Sequence, residues 1–178
     1  MVRFKVWLTD NPSATTTMML DELRSIQTMA SLRPGDRIII YLGSVFSDKI
    51  ITEKEIPTHR GMLAALAPSE PQQRQLIAAF EWFCGVKYPS LLRFFPMILK
   101  LLLDEELVEE DVFFAWAGDL TRNDFTAEQS LIDIDTLDAL KTSAAPFIKW
   151  LQEAEEEGDE EEDEEGEDDD DDEGEEEN

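Results

Sequence analysis

The stretch "SEPQQRQLIAAFEWFCG", residues 69–85, decides how the rest of the chain is read. Ser69 stands three positions before Gln72, the spacing at which a hydroxyl and an amide cap a helix start reciprocally. Pro71 falls in the first turn, where a missing N–H leaves no bond unmade, and Gly85 is placed to close the far end. Leu76, Ile77, Phe80 and Phe83 recur at helical spacing and form a face that must be buried. A helix with one such face needs helical neighbours.

The flanking segments supply them. Met19, Leu23, Ile26 and Met29 repeat at three- and four-residue intervals between Thr15 and about Leu32, before "RPGD" (33–36) interrupts. "DRIIIYLGSVF" (36–46) is apolar enough for a buried strand or a buried helix, and is assigned to helix because its neighbours are helices. In "TEKEIPTHRGMLAALA" (52–67) the run from Met62 to Leu66 should face the core, with Lys54, His59 and Arg60 in water. "PSLLRFFPMILKLLL" (89–103) is apolar nearly all round and therefore central, with Pro96 starting or kinking its helix. "DEELVEEDVFFAWAG" (104–118) turns Val108, Val112 and Trp116 inward and ends at Gly118.

A last stripe, Leu137, Leu140, Ala144, Phe147, Leu151 and Ala154, packs back on the body. Pro146 disfavours helix at Ala145, so two helices with a break near Ser143 are expected there. Seven or eight short helices joined by short turns predict an all-α fold built as an array of antiparallel helical hairpins. The expected organisation is a strand or irregular arm over 1–13, a helical domain over 14–156 and an acidic disordered tail over 157–178.

Charge is unevenly spread along this plan. The formal net charge is −27, of which residues 152–178, with 21 Asp or Glu and no Lys or Arg, supply −21, leaving −6 for the body. A run of like charge without apolar residues cannot offset the entropy of ordering, and it repels phosphate, so direct nucleic-acid binding is not expected. The one cysteine, Cys84, excludes an intramolecular disulfide and a multi-cysteine zinc site, and fits a reducing compartment. Neither "MVRFKVWLTDNPSATTT" (1–17) nor "FFPMILKLLL" (94–103) has the apolar length of a signal peptide or a span, so a soluble, cytoplasmic, monomeric protein without membrane attachment is expected.

Catalytic chemistry has little to stand on. His59 is the single histidine, in a charged stretch where an exposed helix position is expected; Cys84 lies among aromatic residues and should be an inert buried thiol. No phosphate-cradling glycine motif occurs, and the acidic runs look solvated rather than buried in pairs that would drive two pKa values apart. No enzyme activity, cofactor or metal is expected.

One pattern stands out because it is used twice. Residues 103–116, "LDEELVEEDVFFAW", and residues 146–157, "PFIKWLQEAEEE", each set carboxylates at helical spacing beside Phe and Trp. Acids before a helix are favoured by its dipole, which accounts for Asp104, Glu105 and Glu106 without any partner, and Trp116 has a place in the core. Glu153, Glu155, Glu156 and Glu157 crowd a helix C-terminus, where each is disfavoured by about 0.3–1 kcal/mol. A Lys-rich partner reverses that penalty, and an aromatic neighbour adds apolar or cation–π contact.

These boxes carry a family resemblance. "FPMILKLLLDEELVEEDVFFAWAG" (95–118) and "SAAPFIKWLQEAEEEGDEEEDEE" (143–165) closely resemble the W2-type domain that closes eukaryotic translation initiation factor five, the epsilon subunit of initiation factor two B and the factor-five mimic proteins. "SVFSDKIITEKEIPTHRGML" (44–63) and "PQQRQLIAAFEWF" (71–83) look like its earlier helices, so the resemblance covers roughly residues 36–165. It implies a HEAT-like array of helical hairpins. It also implies an adaptor that holds the Lys-rich segment of the initiation factor two beta subunit and contacts initiation factors one and three, scaffolding the preinitiation complex.

Carried over residue by residue, the first box gives Asp104, Glu105, Glu106, Glu109, Glu110, Asp111 and Trp116 as partner-binding, and the second gives Phe147, Trp150, Glu153, Glu155, Glu156 and Glu157. Trp150 is as much a candidate for packing as for contact. The full-length factor's GTPase-activating domain, with its N-terminal Arg and zinc ribbon, has no counterpart in these residues, so this chain by itself is not expected to stimulate GTP hydrolysis. Three alternatives remain open: a fragment of the longer factor, a regulatory mimic competing for the same partners, or a general acidic chaperone for basic proteins.

Overall fold

The computed structural model describes residues 1–118 and 132–164, with side chains as far as Ala154 in the last helix. Among the described residues there are nine α-helices and no strand: α1 (Val2–Asp10), α2 (Thr16–Met29), α3 (Asp36–Val45), α4 (Glu55–Thr58), α5 (Arg60–Leu66), α6 (Glu70–Trp82), α7 (Phe95–Asp104), α8 (Glu110–Gly118) and α9 (Ile134–Glu164). The all-helical hairpin array read from the apolar spacing is therefore the fold.

Helix α6 starts as expected after Ser69, with Pro71 in its first turn, but the cap differs in detail: Ser69 Oγ donates to Gln72 Oε1 at 2.7 Å and does not bind a backbone N–H. Leu76, Ile77, Phe80 and Phe83 are all fully buried. Gly85 does not close the helix. The chain passes through it in a π-helical turn, Phe83–Lys87, in which Tyr88 N–H reaches Phe83 O at 2.8 Å. What Gly85 supplies is room, since a Cβ there would lie 2.8 Å from Thr136 Cγ2 of α9. The turn ends with Lys87 Nζ donating to Gly43 O at 2.8 Å beside the Phe83 and Tyr88 rings, and this desolvation brings its pKa down to about 8. A 3₁₀ turn, Pro89–Phe94, then leads into α7, which Pro96 starts rather than kinks.

Two expectations about local structure are corrected. Residues 2–10 form a helix, not a strand or arm. Val2, Phe4, Val6 and Leu8 alternate like a strand, but Phe4, Trp7 and Leu8 also fall at helical spacing, and the core accepts the second set. Phe4 is fully buried against Tyr41 of α3, whereas Val2 and Val6 are exposed.

The second correction is at Pro146, where α9 runs through without the break expected near Ser143. An interior proline costs a helix about 3 kcal/mol. Here the buried stripe continues on both sides of it, with Leu140 and Ala144 before and Phe147 and Leu151 after, so unwinding would expose apolar surface worth more. Ser143 Oγ donates to Leu140 O at 2.8 Å, giving that carbonyl a side-chain partner in the turn before the proline. The helix also continues to Glu164, past the expected boundary at 157, while residues 165–178 of the expected tail lie outside the described residues.

His59 is a third departure. It is half-buried at the junction of α4 and α5, its Nδ1 lies 3.0 Å from Tyr41 Oη, and its ring leans on Phe46. Desolvation holds its imidazole below the ordinary 6.5 despite the nearby Glu55. A depressed imidazole pKa means that the unfolded chain binds more protons just below pH 6.5, so folding stability should fall as pH drops below that value. Urea midpoints across that range should decline more steeply for the parent than for His59→Gln.

Gly85 offers a second check. Gly85→Ala drives a methyl into Thr136 and should destabilise the domain by about 1–3 kcal/mol, read by urea denaturation.

Candidate functional site

Helix α7 positions the first box. Phe95, Ile98, Leu99 and Leu102 are buried, and the residues that α7 leaves exposed are Met97, Lys100 and Asp104, at positions i, i+3 and i+7. They form one narrow stripe along the helix. Lys100 Nζ bonds both carboxylate oxygens of Asp104, at 2.7 and 3.0 Å. The chain then leaves α7 through Glu106, whose φ of 55° is left-handed. Glu106 N–H donates to Leu103 O and Leu107 N–H to Leu102 O, both at 2.8 Å, the paired closure that ordinarily takes glycine.

A non-glycine residue pays about 1–2 kcal/mol there. Arg60 of α5 offsets part of it, binding Glu106 Oε2 at 2.8 Å and donating from Nε to Glu105 O at 2.8 Å. The box is therefore held by its own backbone as well as by its acids.

Glu109 is tied to a different element. Its Oε1 accepts from Gln73 Nε2, and its N–H donates to Gln73 Oε1, each at 2.9 Å, which fixes the start of α8 on α6. Glu110 and Asp111 occupy the first turn of α8, exposed, where the helix dipole favours them. Neither side chain makes a hydrogen bond or ion pair among the described residues.

Trp116 is corrected from contact to core. It is 1% exposed, packs edge-on against Phe95, and donates from Nε1 to the buried Glu81 Oε1 at 2.7 Å. Phe147 is likewise buried, edge-on to Phe113. Neither ring can meet a partner at the surface.

Trp150 is the exposed aromatic of the pair of boxes, at 44%. Its ring rests beside Phe147 and has Lys100 Nζ over it, 5.1 Å from the centroid. Glu153 is paired with Lys149 one turn earlier, at 3.0 Å. The backbone of Glu155, Glu156 and Glu157 continues α9, but their side chains lie outside the described residues.

Lys100 is thus the point at which the two boxes meet: Asp104 of the first and Trp150 of the second hold the same ammonium. Asp104, Trp150 and Glu110 and Asp111 lie on exposed turns, whereas Glu105, Glu106 and Glu109 are also bound into neighbouring elements. Lys100, Gln73 and Glu81 carry no role in the sequence reading, and Arg60, placed there only in water, is bound to Glu105 and Glu106. The Lys100–Asp104 pair has a readable signal, opposite charges at i,i+4 on one helix, but nothing in sequence spacing places Lys100 on a ring fifty residues away.

Cys84 is fully buried, with its thiol pushed up by desolvation, and among the described residues no group of three or more His, Cys, Asp or Glu is placed to hold a metal ion. No helix among the described residues is long and apolar enough to cross a membrane.

The helices form an all-α array whose surface acids are gathered at the α7–α8 turn and, by sequence, on α9. Residues 72–173 match the W2 family, described as eIF4-gamma/eIF5/eIF2-epsilon, and the chain belongs to that family. It is 30% identical over 143 residues to eukaryotic translation initiation factor 5 of Zea mays, covering 78% of this chain and 29% of that protein. It is 32% identical over 117 residues to the factor of Mus musculus, covering 66% and 26%. Its fold matches the solved C-terminal domain of translation initiation factor 5 at low pH, with a TM-score of 0.67, 25% identity, and coverage of 89% of this chain and 94% of that one. The chain spans under a third of the length of these curated relatives.

The Trp116–Glu81 bond carries its own test. Trp116→Phe removes the donor from a buried carboxylate and should lower stability by about 1–3 kcal/mol, measured by urea denaturation.

Proposed function

We propose that this chain is a translation-initiation adaptor whose two acidic–aromatic boxes hold Lys-rich segments of other initiation factors, first among them the beta subunit of initiation factor two. Initiation factors one and three are further partners in this reading, and the chain acts by binding, without catalysis. The observation that carries it is the meeting of the boxes: Asp104 of the first and the exposed Trp150 of the second lie on either side of Lys100. Membership of the W2 family and the likeness to initiation factor 5 support the same role.

The physics suits a flexible basic segment. Exposed carboxylates attract it at long range, giving fast, salt-weakened encounter, while the ring and the fixed α7–α8 turn favour segments that place a lysine correctly. Glu110 and Asp111, whose carboxylates form no ion pair among the described residues, offer the first turn of α8 to an incoming charge. Apposition of several such pairs is required, because each exposed pair contributes only about 0–1 kcal/mol.

Calorimetric titration of a Lys-rich peptide from the beta subunit tests this. Reversing Glu153, Glu155, Glu156 and Glu157 to Lys should weaken binding by about tenfold or more at low salt. Unchanged affinity would sink the second box as a site. Truncation after Glu157 should leave most of the binding in place; loss of most of it favours instead a general acidic chaperone, the reading to which the −21 charge of residues 152–178 lends weight.

A further inference from the structure

We propose that Lys100 is a built-in competitor: it occupies the seat that a partner's lysine takes, and binding proceeds by displacing it. This rests on the adaptor reading above and names how that site is regulated. The seat is defined by two groups from different helices, the Asp104 carboxylate one turn along α7 and the Trp150 ring on α9. Carboxylate plus aromatic face is the pairing that recognises an alkylammonium group. In this structure the alkylammonium is the chain's own.

A purely structural role for Lys100 is weak. Helices α7, α8 and α9 are already joined by Phe95 against Trp116 and Phe113 against Phe147, with Leu99, Leu102 and Leu151 buried alongside. Lys100 and Asp104 side chains are about half exposed, at 49% and 47%, and a solvent-exposed pair adds little to stability. Exposure matters in a second way, because a half-exposed ammonium can swing off the ring into water without unfolding anything. The four-carbon stem that lets it reach Trp150 also lets it leave.

Displacement has a direct consequence. A partner lysine exchanges one ammonium for another, so a single lysine gains almost nothing at this seat. A segment presenting several lysines gains from other surface carboxylates of the boxes, such as Glu153 one turn along α9 from Trp150, while one of its lysines takes the seat. Lys100 therefore raises the threshold against isolated basic side chains and leaves clustered ones able to bind, which is selection by repulsion of the wrong ligand.

The test compares Lys100→Met, which keeps the stem and removes the charge, with Arg24→Gln. The latter makes the same change in net charge on α2, which packs on α1, α3 and α5. Each is titrated with a synthetic peptide of alternating lysine and serine. Lys100→Met should bind about three- to tenfold tighter than the parent, against less than about twofold for Arg24→Gln. In the parent, the Lys100 Cε methylene protons should resonate upfield under the Trp150 ring and return to the ordinary lysine position on saturation.

A parent that binds while Lys100→Met binds no tighter than Arg24→Gln overturns the competitor and leaves the adaptor standing. A Lys100 resonance that stays upfield in the saturated complex does the same. If neither the parent nor Lys100→Met binds the peptide or the beta-subunit segment, both readings fall together.

Discussion

Helix α7 is apolar on every side but one, and α4, α6, α8 and α9 cover it. It packs on α4, α6 and α9, Phe95 meets Trp116 of α8, and what is left to solvent is a line of three side chains, Met97, Lys100 and Asp104. Covering α7 on the α9 side requires an unbroken apolar stripe from Leu140 to Leu151. That demand overrides the preference of Pro146 for a helix end. Placement of the candidate site follows from the same constraint, because the only polar outlet of α7 lies beside the ring that α9 leaves exposed.

The parts of the fold legible in the sequence are those where one period dominates. Helices α2, α3, α6, α7 and α8 could be read because their apolar residues fit a helix, or because their neighbours left no room for a strand. Helix α1 could not, since Val2, Phe4, Val6 and Leu8 satisfy a strand while Phe4, Trp7 and Leu8 satisfy a helix, and packing on Tyr41 decides between them. Pro146 and Gly85 misled for a related reason. Local rules describe what a residue prefers alone, whereas here a proline is retained for the burial around it and a glycine for the approach of α9.

The site was legible as a composition and not as a geometry. Sequence spacing identified where acids and aromatic residues cluster, but assigned Trp116 and Phe147 the same part as Trp150. Burial separates them: two rings build the floor and one meets solvent. Spacing can pair Lys100 with Asp104 and Lys149 with Glu153, each four residues apart on one helix, but it could not show that Arg60 stands beside Glu105 and Glu106. A surface that reads as bare negative charge in one dimension is, over much of its described extent, already partly neutralised in three.

The continuity of α9 also has a mechanical meaning. The helix is gripped by the core up to Leu151, and the thirteen residues from Gln152 to Glu164 add about 20 Å of rod beyond that grip. A transverse load on that segment acts first on Leu151, the last buried residue of the stripe, and then on the Phe113–Phe147 contact one turn behind it. Pro146 sits one residue behind it, at the point where a missing backbone hydrogen bond makes the rod least stiff. Strain on the acidic segment is therefore met by the Leu151 and Phe147 contacts, with Pro146 as the softer turn behind them.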